Sequence, residues 1–169
     1  NLQNKTAVIT GASDGLGREI ALKLAKEKTN LVLIARTAEK LAAVEKECVS
    51  LGAVSVKSFS IDLKNTAELK KVAEQIKTID VLINNAGIWQ KKGQLDEIDP
   101  NTIDDVINTN LTALIHTTQL LLPILRKSPE AAIINVSSRS GYLARENQSI
   151  YGASKWGVTG FTEILKNDL

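Results

Sequence analysis

A rhythm constrains this chain more than any other feature: short β-branched runs alternate with stretches of helical periodicity along its whole length. Lys5 to Thr10, Leu31 to Ala35, Val54 to Ser60, Asp80 to Ile83 and Ala131 to Val136 read as five strands. Runs that are near-continuously apolar mark a parallel sheet covered on both faces. Between them, Gly15 to Lys28 sets Leu16, Ile20, Leu24 and Ala25 on one stripe, and Ala38 to Leu51 follows a Thr37 cap. Thr66 to Lys77 follows Asn65, with Glu68 in the capping-box position. Asp99-Pro100 opens a long helix that Pro123 bends or ends, and a last helix begins near Tyr151 and is still running at Leu169.

This alternation predicts one doubly wound α/β domain over residues 1–169, with a parallel sheet of the Rossmann type. Such a sheet usually has about six strands in the order 3-2-1-4-5-6. Five are read here and the last helix has no cap, so the expectation is a domain lacking its C-terminal strands.

Composition excludes several alternatives. Net charge is +2 with Lys and Arg scattered, so nothing directs the chain toward nucleic acid or an anionic membrane. The single cysteine, Cys48, rules out an internal disulfide; no Cys/His cluster has zinc spacing, and no metal is expected. The longest apolar run, Leu120 to Leu125, falls far short of the ~20 residues of a spanning helix. No signal peptide is visible and the chain starts at Asn1 rather than Met; a cytoplasmic setting is expected.

Thr10-Gly11-Ala12-Ser13-Asp14-Gly15-Leu16-Gly17 stands between the first strand and the first helix, the context that gives its glycines meaning. Gly11 permits a tight turn, Gly15 lets the backbone approach a pyrophosphate, and Gly17 allows helix to pack closely on strand. The helix N-terminus then offers free N–H groups to phosphates. An ordinary strand-to-helix turn is the competing reading; a P-loop is excluded, since no Gly-Lys-Ser/Thr follows. The second strand ends in Ala35-Arg36, where an NAD-selective site places an acid for the ribose 2′-hydroxyl. Arg36 suits a 2′-phosphate instead and can stack on adenine, which favours NADP(H) over NAD(H). Against this stand a merely solvated Arg36 and the negative charge of Asp14 in the loop.

With these motifs in place, the chain resembles a classical short-chain dehydrogenase/reductase. Thr10-Gly11-x-x-x-Gly15-x-Gly17 is that family's form of the loop, and Asn84-Asn85-Ala86-Gly87 resembles its structural motif. Asn110 matches its helix asparagine, Ser138 its catalytic serine, and Tyr151-Gly152-Ala153-Ser154-Lys155 its Tyr-x-x-x-Lys signature. The sugar-nucleotide epimerases and dehydratases usually space the loop differently and rank lower. The resemblance implies that Ser13, Asp14, Leu16, Asp62, Leu63, Asn84, Ala86 and Gly87 join Gly11, Gly15, Gly17 and Arg36 in binding the cofactor, with Asp62 against adenine. It further implies that Lys155 bonds the nicotinamide ribose beside Tyr151, that Ser138 holds the substrate oxygen, and that Asn110 holds a water linking Lys155 to solvent. A small-molecule carbonyl or alcohol substrate and a homodimer or homotetramer are likewise implied.

The chemistry is consistent with the residue types. Reducing a carbonyl needs a proton at oxygen, and a phenol with a reference pKa of ~10 supplies one poorly at neutral pH. A nearby cation stabilises the phenolate, and positions i and i+4 of a helix face the same way, so Tyr151 and Lys155 make a tuned pair. Each residue also has a bland reading: Tyr151 a packing aromatic, Ser138 a cap, Asn110 an ordinary polar residue, Lys155 a solvated charge. A catalytically silent nucleotide-binding module is the alternative function. His116 is read as a structural or surface residue and Cys48 as inert. Trp89 either lines the nicotinamide side of the cleft or is a loop aromatic, Trp156 packs or meets another subunit, and Leu120 to Leu125 serves an interface or the core.

Overall fold

A computed structural model describes residues 2–90 and 92–168. Five parallel strands form one sheet in the order β3-β2-β1-β4-β5: β1 (Thr6–Thr10), β2 (Asn30–Ala35), β3 (Ser55–Ser60), β4 (Val81–Asn84) and β5 (Ala132–Asn135). The switch of direction falls between β1 and β4, so the loops after these two strands open a crevice at their C-terminal ends. Successive side chains of a strand feed opposite layers. Ile9, Leu31 and Leu33 pack with Ala21, Leu22 and Ala25 of α1 (Gly15–Lys26) and with Leu41, Val44 and Cys48 of α2 (Ala38–Ser50). Val8, Val32, Ile34 and Leu82 pack on the other side with Leu69, Val72 and Ala73 of α3 (Thr66–Gln75) and with Leu121 and Leu125 of α5 (Ala113–Leu125). The run Leu120 to Leu125 thus serves the core.

The expected helix boundaries shift at several ends. α1 stops two residues early, because Lys28 takes a left-handed φ of 57°. Its buried face is Gly17, Ala21, Leu22 and Ala25; Leu16 of the expected stripe is 57% exposed at the crevice rim. Thr37 precedes α2 without a side-chain cap bond, whereas Asn65 does cap α3 through the Glu68 N–H at 3.2 Å. The expected long helix is interrupted: α4 (Pro100–Ile107) passes through a π-helical turn at Asn108–Thr112 into α5, and Pro123 sits in the last turn of α5. The last helix, α6 (Ser149–Asp168), starts two residues before Tyr151. At the sheet's edge β5 is covered on one side only, leaving Ile134 49% exposed. No helix among the described residues is long and apolar enough to cross a membrane.

Candidate active site

Gly11 follows β1 with φ 66°, and a Cβ there would lie 2.8 Å from the Ala86 Cα. A Cβ on Gly17 would collide with the Gly11 carbonyl, so this glycine seats α1 against the turn. Gly15, φ 52°, has open space where its Cβ would be, as an approach surface for a ligand requires. The loop is pinned from the neighbouring strand end. Asn85 donates its side-chain amide to the Thr10 and Gly11 carbonyls at 3.1 and 3.3 Å, while the Asn85 and Ala86 N–H groups donate to the Thr10 hydroxyl.

A cleft of about 500 Å³ opens at these strand ends. Its lining includes Gly11, Ser13, Asp14, Gly15 and Leu16 after β1, Arg36 after β2, Asp62 and Leu63 after β3, and Ala86 and Gly87 after β4. Four loops therefore bring together most of the residues that the sequence assigns to cofactor binding. The cradle fits a dinucleotide: two glycines where side chains would intrude, a helix N-terminus, and a buried Thr109 hydroxyl on the wall without a partner among the described residues. Asp14 caps α1 through the Gly15 N–H at 2.8 Å and pairs with Lys40 at 2.5 Å. Lys40, then the Gly15 N–H, hold its carboxyl below the usual range. Arg36 is exposed and makes no ion pair among the described residues. Asp62 accepts from the Lys64 N–H at 2.9 Å, and Lys64 pairs with Asp105 at 2.6 Å.

Asn84 is placed differently from expectation. Its side chain is 2% exposed and donates to Thr118 and Asn135 at 2.9 and 2.8 Å, tying β4 to α5 and β5. The cleft is lined by its neighbour Asn85 instead.

Beyond the cleft, the remaining candidates converge on the start of α6. Lys155 is 4% exposed, and its ammonium donates to the Val136 carbonyl at 2.8 Å and lies 5.9 Å from the centre of the Tyr151 ring. Burial pushes its pKa down. The Tyr151 ring is tilted against Trp89, centroids 4.3 Å apart, which places Trp89 beside the site. The Tyr151 phenol has no hydrogen-bond partner among the described residues. Ser138 caps the short turn Arg139–Gly141, its oxygen accepting from the Ser140 N–H at 3.2 Å, so the hydroxyl proton is left to donate elsewhere.

Asn110 lies in the π turn and is fully buried. Its Oδ1 accepts from the Ile88 N–H at 2.7 Å, and its Nδ2 donates to the Ile88 carbonyl at 3.0 Å and the Ser154 hydroxyl at 3.1 Å. Both amide protons are engaged, so the Asn110 side chain ties the loop after β4 to α6. Gly87 packs closely against Asn110 and Lys155: a Cβ there would stand 3.2 Å from Asn110 Oδ1, closer than ordinary contact, and 3.6 Å from Lys155 Nζ.

Sequence reasoning missed Asn85 as the clamp on the glycine loop, Lys40 as the partner of Asp14, and Gln90, whose Oε1 accepts from the Tyr151 N–H at 2.6 Å. Lys40 was detectable, since it lies in the first turn of the helix that opens at the Arg36 strand end. Gln90 carried no local signal. Cys48 is buried, and burial raises its thiol to about 11, in keeping with an inert role. No His/Cys/Asp/Glu group able to hold a metal occurs among the described residues.

Comparison with known proteins gives the family and the fold. The sequence profile of the short chain dehydrogenase family matches residues 5–169. The ketoacyl reductase HetN of Nostoc sp. is 36% identical over 99% of this chain and 59% of its own length. The 3-oxoacyl-(acyl-carrier-protein) reductase FabG of Staphylococcus epidermidis is 38% identical over 98% of this chain and 69% of its own. The chain therefore spans 59% to 69% of the length of these two relatives. Among solved structures, a metagenomic short-chain oxidoreductase in complex with NADP superposes with a TM-score of 0.93 at 35% identity, covering 99% of this chain and 77% of that one. Carveol dehydrogenase from Mycobacterium avium in complex with NAD gives 0.88 at 29%, covering 95% and 64%.

Proposed function

The chain belongs to the short-chain dehydrogenase family, and on that premise we propose that it reduces a carbonyl, or oxidises the matching alcohol, with NADP(H) as cofactor and Tyr151 as general acid/base. One observation carries the reading: the ammonium of a lysine 4% exposed stands behind the ring of a tyrosine whose phenol has no hydrogen-bond partner among the described residues, next to a cleft built on a glycine loop. A structural lysine would not be buried with a single carbonyl as its partner.

The bound nicotinamide supplies or accepts the hydride. Gly11, Ser13, Gly15 and Leu16 would hold its pyrophosphate end, Arg36 the 2′-phosphate, Asp62 and Leu63 the adenine, and Ala86 and Gly87 the middle of the molecule. In the reductive direction the Tyr151 phenol gives its proton to the substrate oxygen while the Ser138 hydroxyl donates to the same oxygen. Lys155 stabilises the phenolate that results, because an ammonium removed from water acts on its neighbour with little screening. Asn110 keeps Ile88 and Ser154 in place around the pair. The two relatives named above are ketoacyl and 3-oxoacyl reductases, so a 3-oxoacyl thioester such as acetoacetyl-coenzyme A is the first substrate to try. A copy of the same chain is the proposed partner.

In the full-length protein NADPH should bind with micromolar affinity by fluorescence titration. Tyr151→Phe should lower turnover by about a hundredfold or more while leaving NADPH binding within about twofold. Turnover that survives in that variant removes Tyr151 from the role of proton donor; absence of binding by both NADPH and NADH removes the nucleotide-dependent reading.

A further inference from the structure

We infer that Gln90 is a positioning residue for Tyr151: from the loop after β4, its side-chain carbonyl caps the first turn of α6 and fixes where the phenol stands. This rests on the reading of Tyr151 as proton donor.

The first turn of any helix leaves N–H groups without partners inside the helix, and the residue before it ordinarily supplies an acceptor from its side chain. In α6 that residue is Gln148, and its side chain is occupied elsewhere. It is 4% exposed, and its Oε1 accepts from the Ser140 hydroxyl at 3.1 Å. The orphaned N–H of Tyr151 turns instead to Gln90 Oε1 at 2.6 Å, across 61 residues of sequence. The amide must be oriented this way, since only its oxygen can accept. The Gln90 nitrogen is left buried with no partner among the described residues, and the residue as a whole is 1% exposed. Burying an unmet donor opposes folding, and an apolar side chain at this place would avoid that cost. What an apolar side chain lacks is the acceptor for Tyr151.

The surroundings complete a clamp. Ile88 is held at both its N–H and its carbonyl by Asn110. From there the chain carries Trp89 against the Tyr151 ring and Gln90 to the Tyr151 N–H. On the other side, Ser154 accepts from Asn110 and donates to the Tyr151 carbonyl at 2.7 Å. Tyr151 is thus gripped at its N–H, its carbonyl and its ring face, and both polar grips lead back to Asn110. Only the phenol oxygen is left open.

The test uses Gln90→Leu and Gln90→Glu in the full-length protein, with Tyr151→Phe as the blank that isolates the Tyr151 phenol in ultraviolet titration. Gln90→Leu should speed hydrogen exchange at the Tyr151 amide about tenfold or more. Its kcat for acetoacetyl-coenzyme A should fall about tenfold, with NADPH affinity within about twofold of wild type. Gln90→Glu keeps the acceptor at a helix N-terminus, so amide protection should persist, while its added negative charge moves the phenol titration and the matching limb of the pH–rate profile upward. Two results overturn the inference: a Tyr151 amide as protected in Gln90→Leu as in wild type, or a lowered Tm with kcat and phenol titration unchanged. Should the wild type fail to turn over with NADPH, the proposed function falls by itself, and amide exchange with phenol titration still decides the place of Gln90.

Discussion

On the proposed reading, cofactor choice depends on single charges around Asp14 and Arg36 on the rim of the cleft. Asp14 places a carboxylate in a loop that should receive phosphates, and taken alone it argues against a doubly charged 2′-phosphate nearby. The structure supplies the counterweight, because Lys40 reaches Asp14 from the first turn of α2 while Arg36 stays unpaired on the same rim. Removing Lys40 uncovers the Asp14 charge. Lys40→Ala should therefore weaken NADPH about tenfold and leave NADH nearly unchanged, whereas Asp14→Asn should strengthen NADPH. Arg36→Asp should turn the preference toward NADH. Fluorescence titrations of both cofactors at low and high salt check all three, since exposed charges lose influence as salt rises. Equal losses for both cofactors in Lys40→Ala would mean that Lys40 merely supports the loop.

Among the elements, β4 shows how the sheet is locked at the end opposite the cleft. Asp80, just before β4, accepts from the Thr6 N–H of β1 at 2.8 Å and from Ser128 at 2.6 Å in the turn that leads to β5, with Lys5 3.7 Å away. Burial alone would raise its pKa, and these partners together bring it below the ordinary value. Asp80→Ala should destabilise the domain by about 2–3 kcal/mol in denaturant unfolding at neutral pH. A carboxyl whose folded pKa is depressed contributes stability above its unfolded value of 3.8 and loses that contribution as pH falls through the folded value, so the variant and wild type should converge in acid. A constant gap down to strong acid would contradict this. Asp80 itself was read only as a strand start, because its partners lie on distant segments. The same distinction separates what was legible from what was not. The strands were visible through local apolar runs, and Gly11, Gly15 and Tyr151 through fixed spacings. The π turn at Asn108–Thr112 was not, since Asn110 meets the Ile88 backbone only once the chain has folded. The placement of Asn84 was missed for that reason too: two adjacent asparagines look alike in sequence, and only the strand's alternation sends one into the core and the other to the glycine loop.

For the molecule as a whole, stability and chemistry are located in different places. Two apolar layers cover the sheet, and they contain almost nothing that titrates. Unfavourable burials lie at and near the site: the Lys155 ammonium with one carbonyl and, without a partner among the described residues, the Gln90 nitrogen, the Thr109 hydroxyl and Asn84 Oδ1 at the end of β4. A domain arranged in this way should become more stable when its chemistry is removed. Lys155→Met is the sharpest case, because it keeps the length and volume of the side chain and removes the charge. At neutral pH it should raise stability by about 1 kcal/mol, or Tm by ~2–4 °C, while turnover falls by about a hundredfold or more. The pH dependence carries a sign that can be checked. Burial lowers the folded pKa of Lys155 beneath its unfolded value of 10.5, so between the two the unfolded chain binds more protons and wild-type stability rises with pH. The advantage of Lys155→Met should be full below the depressed pKa and shrink as pH climbs toward 10.5. Calorimetry across that range decides the matter. A variant less stable than wild type at neutral pH would show that the bond to Val136 outweighs the burial of the charge, and Lys155 would then count among the groups that hold the fold together.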